Sequence, residues 1–260
     1  MSVVSVDLQG HVLLIGLDRV AKRNAFDLQL LNELADAYAR LEDDPEAWVG
    51  VLYAHGEHFT AGLDLAKVAG RLMEGNPVYD SPDAIDPWGI VGRKLSKPLI
   101  AGAQGICLTL GIELLLNADI RIAAEGTRFS QLEVQRGIYP FGGATLRFPF
   151  EAGWGNAMRW LLTGDEFDAA EALRIGLVQE VVPEGAQLER AVALATSITE
   201  KAAPLGVRAT LASARRAVDP VRAAAAERLQ PDVVTLFTSK DAAEGVQSFV
   251  ERRPARFVGA

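Results

Sequence analysis

Short apolar runs, each too brief to be a helix, recur along this chain with helix-periodic segments between them, and no other feature constrains the fold as tightly. Val3 to Asp7 alternates apolar and polar residues, Gln9-Gly10 supplies a turn, and His11 to Leu17 is a second run, which together predict a hairpin. Asp27 precedes Leu28, Leu30, Leu31, Leu34, Ala35 and Tyr38, spaced for one helix face that ends near Asp43-Asp44-Pro45. Strands are expected at Trp48–Tyr53, Leu99–Ala103, Asp119–Ala124 and Leu177–Val182. Helices are expected at Ile112–Asn117, Ala157–Leu162 and Asp168–Leu173, the last with an Asp-x-x-Glu start at Asp168 and Glu171. Strands interleaved with helices call for mixed α/β layering.

Three stretches depart from that alternation. From Ala66 to Pro98 the periodicity fades, and GNPVYDSPDAIDPWG, with its prolines, glycines and aspartates, predicts a long loop of the kind that binds or covers a ligand. Gly105–Gly111 and the region of Gly137, Pro140, Gly142 and Gly143 also read as loop. Beyond Gln187 nothing resembles a strand; three alanine-rich helical stretches are expected, broken at Pro204, Asp219-Pro220 and Pro231, the last running from Asp241 to Arg253. The expected division is a β/α core over residues 1–200 and a helical region over 201–260.

Composition narrows the function. With 34 acidic against 26 basic side chains the net charge is −8, which repels a phosphate backbone and argues against a nucleic-acid partner. The single cysteine, Cys107, reads as a packing residue, and three scattered histidines give no metal cage. His55 and His58 read as a solvated loop, and Arg121, Arg128, Arg136 and Arg147 as surface charges. No apolar run is long enough to span a membrane, and the N-terminus lacks the order of a signal peptide, so a cytoplasmic protein is expected. Nucleotide cradles of the G-x-G-x-x-G or P-loop type and a G-x-S-x-G elbow are absent.

Two carboxylates stand out. Glu113 sits in LGIELLL and Glu133 in FSQLEVQRGIYP. A glutamate ordinarily lies on a wet face. Buried, it resists ionisation, and a pKa raised toward neutrality suits a group that both takes and gives a proton. Two loops, FTAGLDL (59–65) and LTLGIE (108–113), turn into helices through small residues, where free backbone N–H groups could meet a developing oxyanion.

In order along the chain, RNAF (23–26), FTAGLDL (59–65), the segment from Lys97 to Arg147, LLTGDEFDAAEALRIGLVQEVVP (161–183) and EGVQSFVERRPARF (244–257) resemble the enoyl-CoA hydratase/isomerase, or crotonase, family. The resemblance implies a spiral of ββα units with a C-terminal helical trimerisation region. It implies a homotrimer or a hexamer built as a dimer of trimers, an acyl-CoA thioester substrate, and no metal or redox cofactor, coenzyme A being part of the substrate. Carried over position by position, it places Glu113 and Glu133 as the catalytic pair and the N–H groups of Leu63 and Leu110 as the oxyanion hole. Ala61 is placed at the adenine of coenzyme A, with Gly62, Asp64 and Phe141 also at the substrate. Many family members read GGG where Thr109, Leu110 and Gly111 stand, and glycine where Phe141 stands. The expected reaction is addition of water to the C2=C3 bond of a 2-enoyl-CoA. The alternatives are a Δ3,Δ2-enoyl-CoA isomerase working mainly through Glu133, or a silent acyl-CoA-binding protein.

Overall fold

The computed structural model describes residues 2–73 and 79–259. The N-terminal hairpin forms as expected, β1 (Val4–Gln9) running antiparallel to β2 (Val12–Leu17). From β2 the sheet continues with parallel strands only: β3 (Val49–Ala54), β4 (Leu99–Ala103), β6 (Ile120–Ala124) and β9 (Glu180–Val182). Both faces of this sheet are covered, which is why its central strands read as unbroken apolar runs. Leu13, Ile15 and Leu17 point into the main core, while Val12, Leu14, Val49, Val51, Ile100 and Ile122 pack under α7 (Gln187–Lys201). On that helix Ala191 and Ala195, one turn apart, let it lie close to the strands.

A second, three-stranded sheet orders β5 (Ile106–Leu108), β7 (Arg128–Ser130) and β8 (Phe167–Asp168), with β5 and β7 parallel. It reveals the repeat. β4, β5 and α3 (Leu110–Asn117) make one ββα turn; β6, β7 and the 3-10 turn Leu132–Arg136 make the next. One turn earlier, β3 leads to a single parallel bridge, Thr60 to Cys107, and then to α2 (Leu65–Met73). Each turn thus adds one strand to each sheet, as in a crotonase-type spiral.

Several expectations need correction. The excursion after Ala66 opens with α2, whose start is held by Lys67 and Val68 N–H bonds to the Asp64 carbonyl. Gly105–Gly111 is not all loop, since β5 and the first turn of α3 lie within it. The region of Gly137, Pro140, Gly142 and Gly143 is loop as expected, and it leads directly into α4 (Ala144–Ala152) through Gly143 at φ +107°. Three-residue strands such as β7 carry too short a pattern to be read.

The largest correction concerns the C-terminus, where α8 runs unbroken from Pro204 to Phe237 through both Pro220 and Pro231. An internal proline removes one N–H donor and crowds the preceding turn. Around Pro231 the helix is held by other means: Leu229 and Val233 are buried, and Tyr139 Oη donates to the Leu229 carbonyl at 2.9 Å. The chain closes with α9 (Lys240–Glu251), capped by Ser239 and packed against the 3-10 turn that carries Glu133.

Candidate active site

Leu63, Leu110, Phe141 and Gly142 line one cleft of about 830 Å³, whereas neither Glu113 nor Glu133 is among its lining residues. The first loop, around Gly62, is fixed by Thr60: its hydroxyl donates to the Asn24 carbonyl at 2.7 Å and accepts from the Gly62 N–H at 3.0 Å. Gly62 has φ +91°, and a Cβ there would lie 2.0 Å from Thr109 Oγ1. The second loop ends in Thr109, itself at φ 50° and ψ −115°, conformations that β-branched residues rarely adopt. Bulk that glycine would omit at position 109 is therefore accommodated by the absence of a side chain at 62.

Leu63 and Leu110 line the cleft, and no acceptor among the described residues takes either N–H. Leu110 opens α3, so its N–H is one of the orphan donors of a helix start. Its carbonyl is gripped by Trp88 Nε1 at 3.0 Å, which ties the loop above the cleft to this helix.

Glu113 lies one turn into α3 and is completely buried. Its Oε1 accepts from Ala144 N–H at 2.9 Å, the Gly142 N–H lies near the carboxylate, and Oε2 has no partner. Gly142 forms the cleft wall here, since a Cβ on it would meet Glu113 Oε2 at 2.5 Å and Leu110 Cδ2 at 3.0 Å. Burial pushes Glu113 up to about 7 against the pull of those N–H groups and of Arg147.

Glu133, in the 3-10 turn, is 6% exposed. Burial and then the charge of Glu113 push it well above the usual carboxylate range. The Gln131 amide nitrogen, oriented by its hydrogen bonds, lies 2.9 and 3.0 Å from the two Glu133 oxygens. Gln131 was not singled out in the sequence; a polar residue in the apolar run leading to Glu133 was its only signal.

The remaining expected residues fall into place unevenly. Phe141 lines the cleft with its ring edge-on to Phe237 of α8, 6.2 Å between centroids. Ala61 is half-buried, its N–H donating to the Arg23 carbonyl at 2.9 Å. Asp64 does not offer a free carboxylate, because Arg19 pairs with it at 3.3 Å and with Asp27 at 2.9 Å. Two arginines are not surface charges. Arg121 is buried, donating to the Leu177 carbonyl and pairing with Glu151 at 2.8 Å. Arg147 donates to the Gly89 carbonyl and is pushed down to about 10 by burial. His55 is half-buried and bonded through Nε2 to Ser5 Oγ at 2.7 Å. Among the described residues no group of three or more potential ligands could hold a metal, and no helix is long and apolar enough to cross a membrane.

A spiral of ββα units is the architecture of the crotonase class, and here it carries two buried glutamates and a free N–H at the start of α3. The family model described as enoyl-CoA hydratase/isomerase matches residues 7–260, and this chain belongs to that family. It is 35% identical over 256 residues to enoyl-CoA hydratase EchA19 of Mycobacterium tuberculosis, covering 97% of this chain and 95% of that protein. It is 30% identical over 259 residues to the 2,3-dehydroadipyl-CoA hydratase of Escherichia coli, covering the whole of both. A crystal structure of a probable enoyl-CoA hydratase/isomerase from Mycobacterium abscessus is 55% identical, with a TM-score of 0.82 over 99% of each chain.

Proposed function

We propose that this protein is an enoyl-CoA hydratase that adds water reversibly across the C2=C3 bond of a 2-enoyl-CoA thioester. The observation that carries this reading is the unequal pair of buried acids. Glu113 accepts a hydrogen bond from the Ala144 N–H, which favours its charged form, whereas burial and the charge of Glu113 favour the protonated form of Glu133. Paired groups whose environments separate their pKa values are suited to act as base and acid in one step.

In the proposed mechanism the Leu63 and Leu110 N–H groups receive the thioester oxygen as negative charge builds on it. Glu113 takes a proton from water as its oxygen bonds to C3. Glu133 gives its proton to C2, and Gln131 holds that carboxyl in orientation. The reverse sequence dehydrates a 3-hydroxyacyl thioester. The family supplies the substrate's coenzyme A handle, for which we assign Ala61 and Gly62 to the nucleotide side and Phe141 to the acyl side. No other cofactor enters the reaction.

Loss of conjugated absorbance from a 2-enoyl-CoA tests the assignment. Turnover is expected, and Glu113→Gln and Glu133→Gln are each expected to lower kcat by about 100-fold or more. Inert 2-enoyl esters of every chain length, alongside conversion of a 3-enoyl-CoA, would make the protein an isomerase instead. Tight ester binding with neither reaction would make it a binding protein.

A further inference from the structure

Resting on the hydratase reading, we propose that the acyl group taken by this cleft is apolar to its far end, an alkyl, branched or alicyclic 2-enoyl group rather than one ending in a carboxylate. Away from the reacting centre the wall is built by Leu31, Val68, Ile90, Phe141 and Val234, none of which can bond a polar tail. The polar groups of the inner wall are committed to one another. Tyr79 Oη donates its hydrogen to Asp86 Oδ1 at 2.7 Å. Asp86 also accepts from the N–H groups of Trp88 at 3.1 Å, Ile90 at 2.7 Å and Val91 at 3.0 Å. The indole N–H of Trp88 is held by the Leu110 carbonyl.

The charged side chains that line the wall are carboxylates, each already met by partners of this chain. No lysine or arginine among the described residues lines the cleft; Asp86 and Asp80 do, the latter paired with Arg71 at 2.7 Å. Asp80, Ser81 and Gln230 belong to stretches open to solvent, where a terminal polar group gains nothing over water. A carboxylate carried past them would be desolvated with no charged donor among the lining residues to receive it. Each methylene carried to the same place gains a factor of about four in binding. The wall therefore sets this chain apart from its Escherichia coli relative, whose name specifies a dehydroadipyl, and so carboxylate-ended, substrate.

The test compares trans-2-decenoyl-CoA with the ten-carbon 2-enoyl-CoA ending in a carboxylate, and titrates the protein calorimetrically with the two corresponding saturated esters. The apolar ester is expected to bind at least about tenfold more tightly and to show at least about tenfold higher kcat/KM. Equal or tighter binding of the carboxylate-ended ester overturns the proposal, whatever the turnover. Failure of the hydratase reading looks different: the binding preference persists and neither unsaturated ester reacts.

Discussion

At the scale of single residues the site is defined by two acids placed where acids are costly. Both hold their protons more firmly in the folded chain than in the unfolded one, so the folded state binds more protons from about pH 4.5 upward. Stability then falls as the pH rises through that window, by on the order of 3 kcal/mol for Glu113 once pH exceeds its folded value near 7. Glu133→Gln removes a buried acid of this kind while keeping its shape. It is expected to unfold at higher urea than the wild type at pH 8 and at the same urea at pH 4. A stability difference that did not change with pH would show that Glu133 titrates normally. In the proposed mechanism the same asymmetry shapes catalysis, because water addition would need Glu113 ionised and Glu133 protonated. Plotted against pH, kcat/KM is expected to rise through about 7 and to fall again at higher pH as Glu133 loses its proton. A profile flat from pH 5 to 9 would remove one acid from the step. Glu113 was visible in the sequence because every neighbour in LGIELLL is apolar. The Ala144 N–H that bonds it was not, because 31 residues separate the two and only the turn through Gly142 and Gly143 brings them together.

At the scale of elements the informative feature is the strained entry to α3. Thr109 holds a backbone conformation that costs a β-branched residue about 1–3 kcal/mol, and its hydroxyl is buried without a partner. Glycine would adopt these angles freely, losing about 0.5–1 kcal/mol through its greater freedom when unfolded. Thr109→Gly is therefore expected to stabilise the protein by about 1 kcal/mol in urea titration; a loss of stability would show that the threonine methyl is needed as packing against Gly62. The sequence marked this position as a departure from a glycine-rich pattern, but the compensation lies in another loop, 47 residues earlier, and no local periodicity records it. The strands tell the same story. β2, β3, β4 and β6 were legible because both faces are buried, whereas β5, β7 and β8 are three residues or fewer and exist through pairing alone. Pro220 and Pro231 misled for the opposite reason: local rules end a helix at each, and at Pro231 the buried Leu229 and Val233 carry it through, whereas nothing in the structure explains its passage through Pro220.

At the scale of the whole molecule, the layered alternation of the sequence is realised, yet several helices leave large apolar side chains open to solvent. Phe150 and Trp154 on α4 and α5 (Trp154–Thr163), Leu205 and Val221 on α8, and Phe249 and Val250 on α9 are large apolar side chains open to solvent, Leu205 to 77%. Scattered single residues of this kind are ordinary, but here they gather on helices at the C-terminal end and on those adjoining it. Such a surface is stable in water when copies of the chain cover one another's apolar residues, and closed rotational symmetry lets every copy do so equally. The resemblance to the crotonase family, rather than this surface, makes a trimer or a pair of trimers the expected assembly, with a light-scattering mass three or six times the 27.9 kDa of the chain. A mass of one chain at micromolar concentration would overturn it. Leu205→Glu combined with Val221→Glu places charges on α8 away from the cleft and is expected to lower that mass while leaving the far-ultraviolet circular dichroism of the helices intact. If the mass were unchanged, the subunits would be meeting through other faces, and the exposed residues of α8 would need a different partner.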